Sequence, residues 1–273
     1  MNKLKICLVA HTENFQDNYK KFEWLVQEFN SLERELNLKI KINWMLEEDD
    51  TKPFAVEVRG NNRGDVITNG KDFFKKIKKI RNDELGIHVH FTKGWKLDFS
   101  YENQFRLLKT AKEKFVKAFG YEPRSFVGGW WYSDDNTLEI LKKLKFEADA
   151  SPLPLYRELR RKWLFGKIPL PFRVETCDWS NYKNRKPRVE GGILRVPNAV
   201  DPDLKSFRYG GFFSLDSINK YDYNELIQKF DKRNLILVIP FHPHSITKEK
   251  MNRFKNLLKD KEIKFLKLSE INQ

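Results

Sequence analysis

Residues 4–18 read LKICLVAHTENFQDN, and the junction inside this stretch decides the fold. Leu4–Ala10 is an apolar run of strand length that passes straight into the polar segment His11–Asn18. An open nucleotide-binding sheet usually carries a GxGxxG or GxxxxGK(S/T) turn after its first strand. This stretch contains no glycine. The remaining arrangement for alternating strands and helices is a (β/α) barrel, whose site is assembled from several strand ends.

The rest of the chain supplies that alternation. Strands are expected at Leu4–Ala10, Lys39–Met45, Leu85–Phe91, Ser125–Val127, Phe146–Ala150, Gly192–Val196, Leu235–Phe241 and Ile263–Leu268. Helical periods cover Tyr19–Leu36, Lys71–Arg81, Glu102–Phe119, Asp134–Leu144, Tyr223–Lys232 and Lys248–Asp260. Such a series predicts parallel βα units. Runs such as LILVIPF fit a sheet covered on both faces. No linker, repeat or low-complexity tract interrupts it, so residues 1–273 read as a single α/β barrel domain. The stretch 151–191 is rich in proline and arginine, lacks a period, and reads as a long irregular excursion of the kind that often carries function.

Composition narrows the class. The 273 residues include 52 Lys and Arg against 38 Asp and Glu, a net charge of +14, with five His and two Cys. The apolar content suffices for one large core and excludes a disordered chain. Cys7 and Cys177 are too far apart for a CxxC zinc knuckle or a thioredoxin motif, and two cysteines make no disulfide scaffold, which fits a reducing cytosol. The first apolar run is too short for a signal peptide, and no stretch approaches the roughly 18 apolar residues of a membrane span. A cytoplasmic protein is expected. Lys75, Lys76, Lys78 and Lys79 alternate with Phe73, Phe74, Ile77 and Ile80, the pattern of a solvated helix face around a core stripe. With no zinc finger, RRM signature or helix-turn-helix pair, no nucleic-acid partner is expected. The positive field would equally suit an anionic substrate such as a nucleotide-linked, lipid-linked or acidic sugar.

All five histidines fall at or near the carboxyl ends of three expected strands: His11 after the first, His88 and His90 in GIHVHF, and His242 and His244 after LILVIPF. In a parallel barrel that rim carries the active site. A HxH pair on a strand puts both imidazoles on one face, because side chains alternate with period two. Neutral imidazoles suit zinc-like divalent ions, and Glu13 can add a carboxylate. The expected metal ligands are therefore Glu13, His88 and His90, with zinc as the first candidate. Asp49 or Asp50, in EEDD after the second strand, is either a further carboxylate or part of a solvated loop.

Read in order, these segments resemble the polysaccharide deacetylase (NodB-homology) superfamily. HTEN resembles its acidic first motif and NDELGIHVHF its second. SFVGGWWYSDDNTLEILKKLKFEADAS is similar to the third motif with its following helix and strand. CDWS resembles the fourth, LILVIPFHPHSI the fifth, and KFLKLSEI the closing strand. The resemblance implies a distorted (β/α) barrel, seven- or eight-stranded and TIM-like, and metal-assisted hydrolysis of acetyl groups on sugars. It implies a metal-bound water activated by a carboxylate base, and a fifth-motif histidine, His242, that protonates the leaving group. The chain departs from the pattern where the usual paired aspartates become His11-Thr12-Glu13, and where Val127 stands in place of an arginine. The second motif has HxH where many members have HxxxH. His11 then becomes a ligand or a base, or hydrolysis is lost.

Other residues complete the expected site. Trp130 and Trp131, after Gly128 and Gly129, and Trp179 offer apolar faces for sugar rings or cap the barrel core. Asp178 orients a catalytic group or caps a loop, and Arg195 on ILRVPN can bind a substrate carboxylate or phosphate. Asp149 acts on substrate or holds a loop. The leading expectation is a metal-dependent carbohydrate deacetylase. The alternative is a barrel of the same superfamily that has lost hydrolysis and binds glycans or serves another purpose.

Overall fold

Strand β1 (Leu4–His11) stands second in the sheet order, with neighbours along both edges. The computed structural model describes residues 3–48, 65–93, 96–153, 186–201 and 213–271. One edge of β1 pairs with β10 (Ile236–Phe241) from Lys5 to Ala10. The other edge is shared: β11 (Ile263–Phe265) takes Leu4–Ile6, and β2 (Ile42–Glu48) takes Leu8–His11. Asn43 fills the join between these two strands, donating from Nδ2 to the Leu8 oxygen at 2.8 Å and accepting the Leu268 N–H at 2.8 Å.

From β2 the sheet continues in parallel through β3 (Glu84–Val89), β6 (Ser125–Gly128), β7 (Ala148–Asp149) and β9 (Ile193–Arg195). Strand β8 (Arg188–Glu190) lies antiparallel on the outer edge of β9. After β9 the chain returns towards the first strands, where the Ala199 N–H donates to the Val238 oxygen of β10 at 3.0 Å. The result is a curled, distorted TIM-like barrel, as the strand and helix alternation predicts. A two-residue hairpin, β4 (Thr92–Lys93) with β5 (Lys96–Leu97), stands apart from the sheet. That hairpin and β8 are not foreseen from the sequence.

Helices α1 (Tyr19–Leu36), α2 (Val66–Asn69), α3 (Lys71–Arg81), α4 (Tyr101–Phe119), α5 (Asp135–Lys143), α6 (Asn224–Lys232) and α7 (Lys248–Leu258) accompany the strands. Their ends follow local chemistry. Ser100 caps α4 by accepting the Asn103 N–H, and Asp134 and Thr137 form a reciprocal capping box on α5. Left-handed Asn37, Asn82 and Gly120 close α1, α3 and α4. The α3 stripe is corrected at one position: Ile80 is 67% exposed, and Arg81 is buried in its place. Arg81 follows Ile77 by four residues and so continues the inward face. Its Nε donates to Asp83 Oδ2 at 3.0 Å, and Asp83 also accepts the Trp44 indole N–H at 2.9 Å.

The period-two alternation of the strands sorts the core into two layers. Leu4, Ile6, Leu8, Trp44, Leu46, Ile87, Val89, Leu237 and Ile239 pack outward with helix residues such as Phe22, Phe29, Phe74 and Leu107. Cys7, Val9, Met45, Val127, Ala148, Leu194 and Val238 form a second, inner cluster. Two residues beyond Val9, Met45 and two steps beyond Val238 come His11, Glu47 and His242. The same parity that separates His88 and His90 from Ile87 and Val89 puts them on the inner face. The polar groups thus stand above an apolar plug at the carboxyl ends of the strands.

Candidate metal centre

Glu13 joins the first strand's end to the others. Its Oε1 lies 3.3 Å from His88 Nε2 and 3.3 Å from His90 Nε2, and its Oε2 lies 3.6 Å from His242 Nε2. Glu13, Glu47, His88 and His90 are all buried, and one donor atom from each falls within 4.8 Å of every other. Two ligands of a tetrahedral zinc, each at about 2.0–2.1 Å, stand roughly 3.3 Å apart. The spacing of Glu13 Oε1 from the two Nε2 atoms matches that edge.

The proton arrangement of His88 agrees with a ligand role. Its Nδ1 lies 2.9 Å from the Val127 carbonyl oxygen, which can only accept, so Nδ1 carries the hydrogen and Nε2 presents a lone pair when the ring is neutral. Burial lowers the His88 pKa, against the raising effect of Glu13, which favours that neutral form. The residues present therefore fit a divalent ion.

His11 occupies the wall between the histidine sets. Its ring centroid is 4.7 Å from that of His88 and 5.3 Å from that of His242, and its buried Nε2 has no hydrogen-bond partner among the described residues. Burial first, then His88 and His242, hold its pKa well below the ordinary histidine value. His244 is also lowered, by burial and then by His242, and its Nδ1 lies 3.2 Å from the Glu13 backbone oxygen.

His242 has a partner that sequence reading does not reveal. Asp216 Oδ2 lies 2.6 Å from its Nδ1, while Oδ1 accepts the His242 backbone N–H at 3.0 Å and the Ser245 hydroxyl. Burial pushes the Asp216 carboxyl up, but the His242 charge and these hydrogen bonds outweigh it and hold the carboxyl well below the usual range. Nothing in the local pattern around Asp216 signals this contact, because the pair is 26 residues apart in sequence. Glu47 was legible in principle: continuing the β2 alternation past Met45 brings Glu47 inward and into register with His88. Asp49 and Asp50 lie outside the described residues.

Trp130 and Trp131 form a tight turn after β6, both with left-handed backbones at φ 53° and 56°. Bulky residues seldom adopt this conformation, and it costs about 1–3 kcal/mol at each position. The Trp130 ring stands edge-on to His90 with centroids 4.7 Å apart, and Trp131 lies 5.8 Å from His11. The preceding glycines make room for protein groups. A Cβ on Gly128 would fall 1.8 Å from the Tyr132 oxygen, and one on Gly129 would fall 2.1 Å from His90 Cδ2.

Asp149 braces this turn: its Oδ2 accepts the Ser133 hydroxyl at 2.8 Å, and Oδ1 accepts the Ser151 N–H at 2.7 Å. Ser151 Oγ in turn accepts the Gly128 N–H at 2.8 Å. Arg195 is 1% exposed, with Nε 3.2 Å from Asp149 Oδ2 across the β7–β9 pair. Asp178 and Trp179 lie outside the described residues. Among the described residues no helix is long and apolar enough to cross a membrane.

No protein-family model matches the chain, and no curated protein matches it in sequence. Solved structures do. A Mycobacterium smegmatis protein assigned as a polysaccharide deacetylase superposes with a TM-score of 0.52 at 11% identity, covering 97% of this chain and 88% of its own. A CE4 family pseudoenzyme from Bacillus anthracis gives 0.50 at 11% identity, covering 99% and 66%, and a mutant of it with restored enzymatic activity gives 0.51 at 11% identity, covering 99% and 68%. A 4-α-glucanotransferase from Thermococcus litoralis gives 0.53 at 13% identity, covering 99% of this chain and 40% of its own. At these identities the likeness concerns architecture, and the chain has the fold of the CE4 polysaccharide deacetylases.

Proposed function

We propose that this chain is a metal-dependent hydrolase that removes an acyl group, acetyl in the first instance, from a carbohydrate. The observation that carries the proposal is Glu13 itself, with one oxygen 3.3 Å from both His88 and His90 and the other facing His242. Glu13, His88 and His90 would hold the ion, with zinc favoured by the mixed imidazole and carboxylate donors. Such an ion lowers the pKa of a water and polarises an acyl carbonyl.

The chain's own residues supply the proton traffic. His11 stands where the deacetylase pattern has an aspartate. Its Nε2 is the atom that would accept the proton of the attacking water, because among the described residues no hydrogen bond engages it. His242 would hold a proton at Nε2 and pass it to the leaving amine or alcohol, with Asp216 fixing the ring through Nδ1. Trp130 and Trp131 would wall the site against a sugar ring, and the excess of positive charge favours an anionic or nucleotide- or lipid-linked substrate. Asp178, Trp179 and Arg195 remain proposed contributors to the same cleft, and a cytoplasmic location accords with the two-cysteine composition.

Elemental analysis of the purified protein tests the metal half: about one zinc per chain is expected, lost in His88→Ala and His90→Ala. Metal-free protein whose thermal stability ignores chelator would remove it. A metal-loaded protein that binds acetylated sugars without releasing acetate would assign the barrel to glycan binding.

A further inference from the structure

The two strand histidines are supported differently. His88 Nδ1 meets a backbone carbonyl oxygen, that of Val127, at 2.9 Å. His90 Nδ1 instead lies 3.4 Å from Oε1 of Glu47, while its Nε2 is 3.3 Å from Glu13. We infer that Glu47 is the positioning residue for His90: at 3.4 Å its carboxylate is placed to take the Nδ1 hydrogen once the ion is bound, which would leave Nε2 as the donor to the ion. The inference rests on Glu13, His88 and His90 forming a metal site.

Three observations support this role. The Glu47 N–H donates to Thr12 Oγ1 at 3.1 Å, and the Thr12 hydroxyl donates to the Met45 oxygen at 3.0 Å. The residue next to Glu13 therefore ties the loop carrying one carboxylate to the strand carrying the other. The His90 ring is also confined on its faces, since a Cβ on Gly129 would strike it and Trp130 stands edge-on to it. Finally, Glu47 is fully buried and approaches the ring nitrogen opposite the one that faces Glu13.

The chemical consequence is specific. A carboxylate on Nδ1 fixes the tautomer and raises the basicity of Nε2, whereas the carbonyl on His88 supplies a neutral acceptor. Were Glu47 a direct ligand, four protein groups would close the coordination shell and leave no place for water. As a positioning residue it leaves a position open.

Zinc competition with a chromophoric chelator, on the full chain, tests this, together with visible spectra of the cobalt(II)-loaded protein. Wild type should bind one zinc per chain. Glu47→Ala should bind about 10–100-fold more weakly, the range for an outer-shell partner. Glu47→Gln keeps an acceptor oxygen, so it should recover most of that loss and give the wild-type cobalt spectrum. Should the alanine variant fail to fold, the glutamine variant still decides through its spectrum. Unchanged affinity in Glu47→Ala overturns the inference, and so does an altered cobalt spectrum in Glu47→Gln, which would make Glu47 a ligand. Wild-type protein that binds no zinc overturns the metal site itself, a result distinct from either.

Discussion

Asp216 and His242 meet through a 2.6 Å contact between carboxylate and Nδ1, and the same aspartate accepts the histidine's own backbone N–H. This double hold fixes both the ring and the chain that carries it. Removing the imidazole with His242→Ala should lower acetate release roughly 10²–10⁴-fold, the range for a general acid. Asp216→Ala should give a smaller loss, carried by kcat with KM little changed. Steady-state kinetics of the two variants check this, and an Asp216→Ala loss confined to KM would contradict it.

The depressed Asp216 carboxyl also has a stability consequence. A group whose pKa is lower in the folded state stabilises the fold above its ordinary range, and that contribution disappears as pH falls through the folded value. Acid unfolding of Asp216→Asn should therefore be less steep below about pH 4 than that of wild type. Circular dichroism along an acid titration reads the difference.

Glu48 behaves in the opposite sense. It ends β2 facing away from Glu47, paired with Lys114, which also lies 3.2 Å from Asp65. Burial, partly offset by Lys114, raises its carboxyl to about 7. The Glu48 contribution is then fully present below the ordinary glutamate range and is lost as pH rises through 7, by on the order of 3 kcal/mol. Glu48→Gln should flatten the denaturant midpoint between pH 4.5 and 7. An unchanged slope would place the titrating group elsewhere.

How much of this was readable in advance varied with the physics. The first strand, the HxH pair and the helix spans were legible because periodicity reports which face is buried. The β2 alternation gave way to the acidic run Glu47–Asp50, which resembles a solvated loop, so the inward Glu47 was hidden behind its neighbours. Asp216 was invisible, because its partner is chosen by the packing of a short turn, Leu215–Ser217, against β10. The room that Gly128 and Gly129 leave is taken by Tyr132 and His90, contacts that only the folded turn brings together.

Asp83 separates fold from site. It satisfies Arg81, the Trp44 indole and the Ile42 N–H at the opposite end of β2 from Glu47. Asp83→Ala removes one of the two carboxylates on buried Arg81, Glu33 at 3.1 Å being the other, and leaves the Trp44 indole N–H without its acceptor, so it should cost about 1–3 kcal/mol in urea unfolding. Zinc affinity of the folded fraction should stay within about twofold, as expected for distant, independent positions.

The most direct measurement is acetate release from acetylated amino sugars by one protein sample, assayed zinc-loaded, after chelation, and after zinc is restored. Activity that disappears on chelation, returns with zinc, and is absent from the His88→Ala and His90→Ala variants is the expected result. Zinc-loaded protein that binds these sugars but releases no acetate, or activity indifferent to chelator, would contradict a metal-dependent hydrolase built on Glu13, His88 and His90.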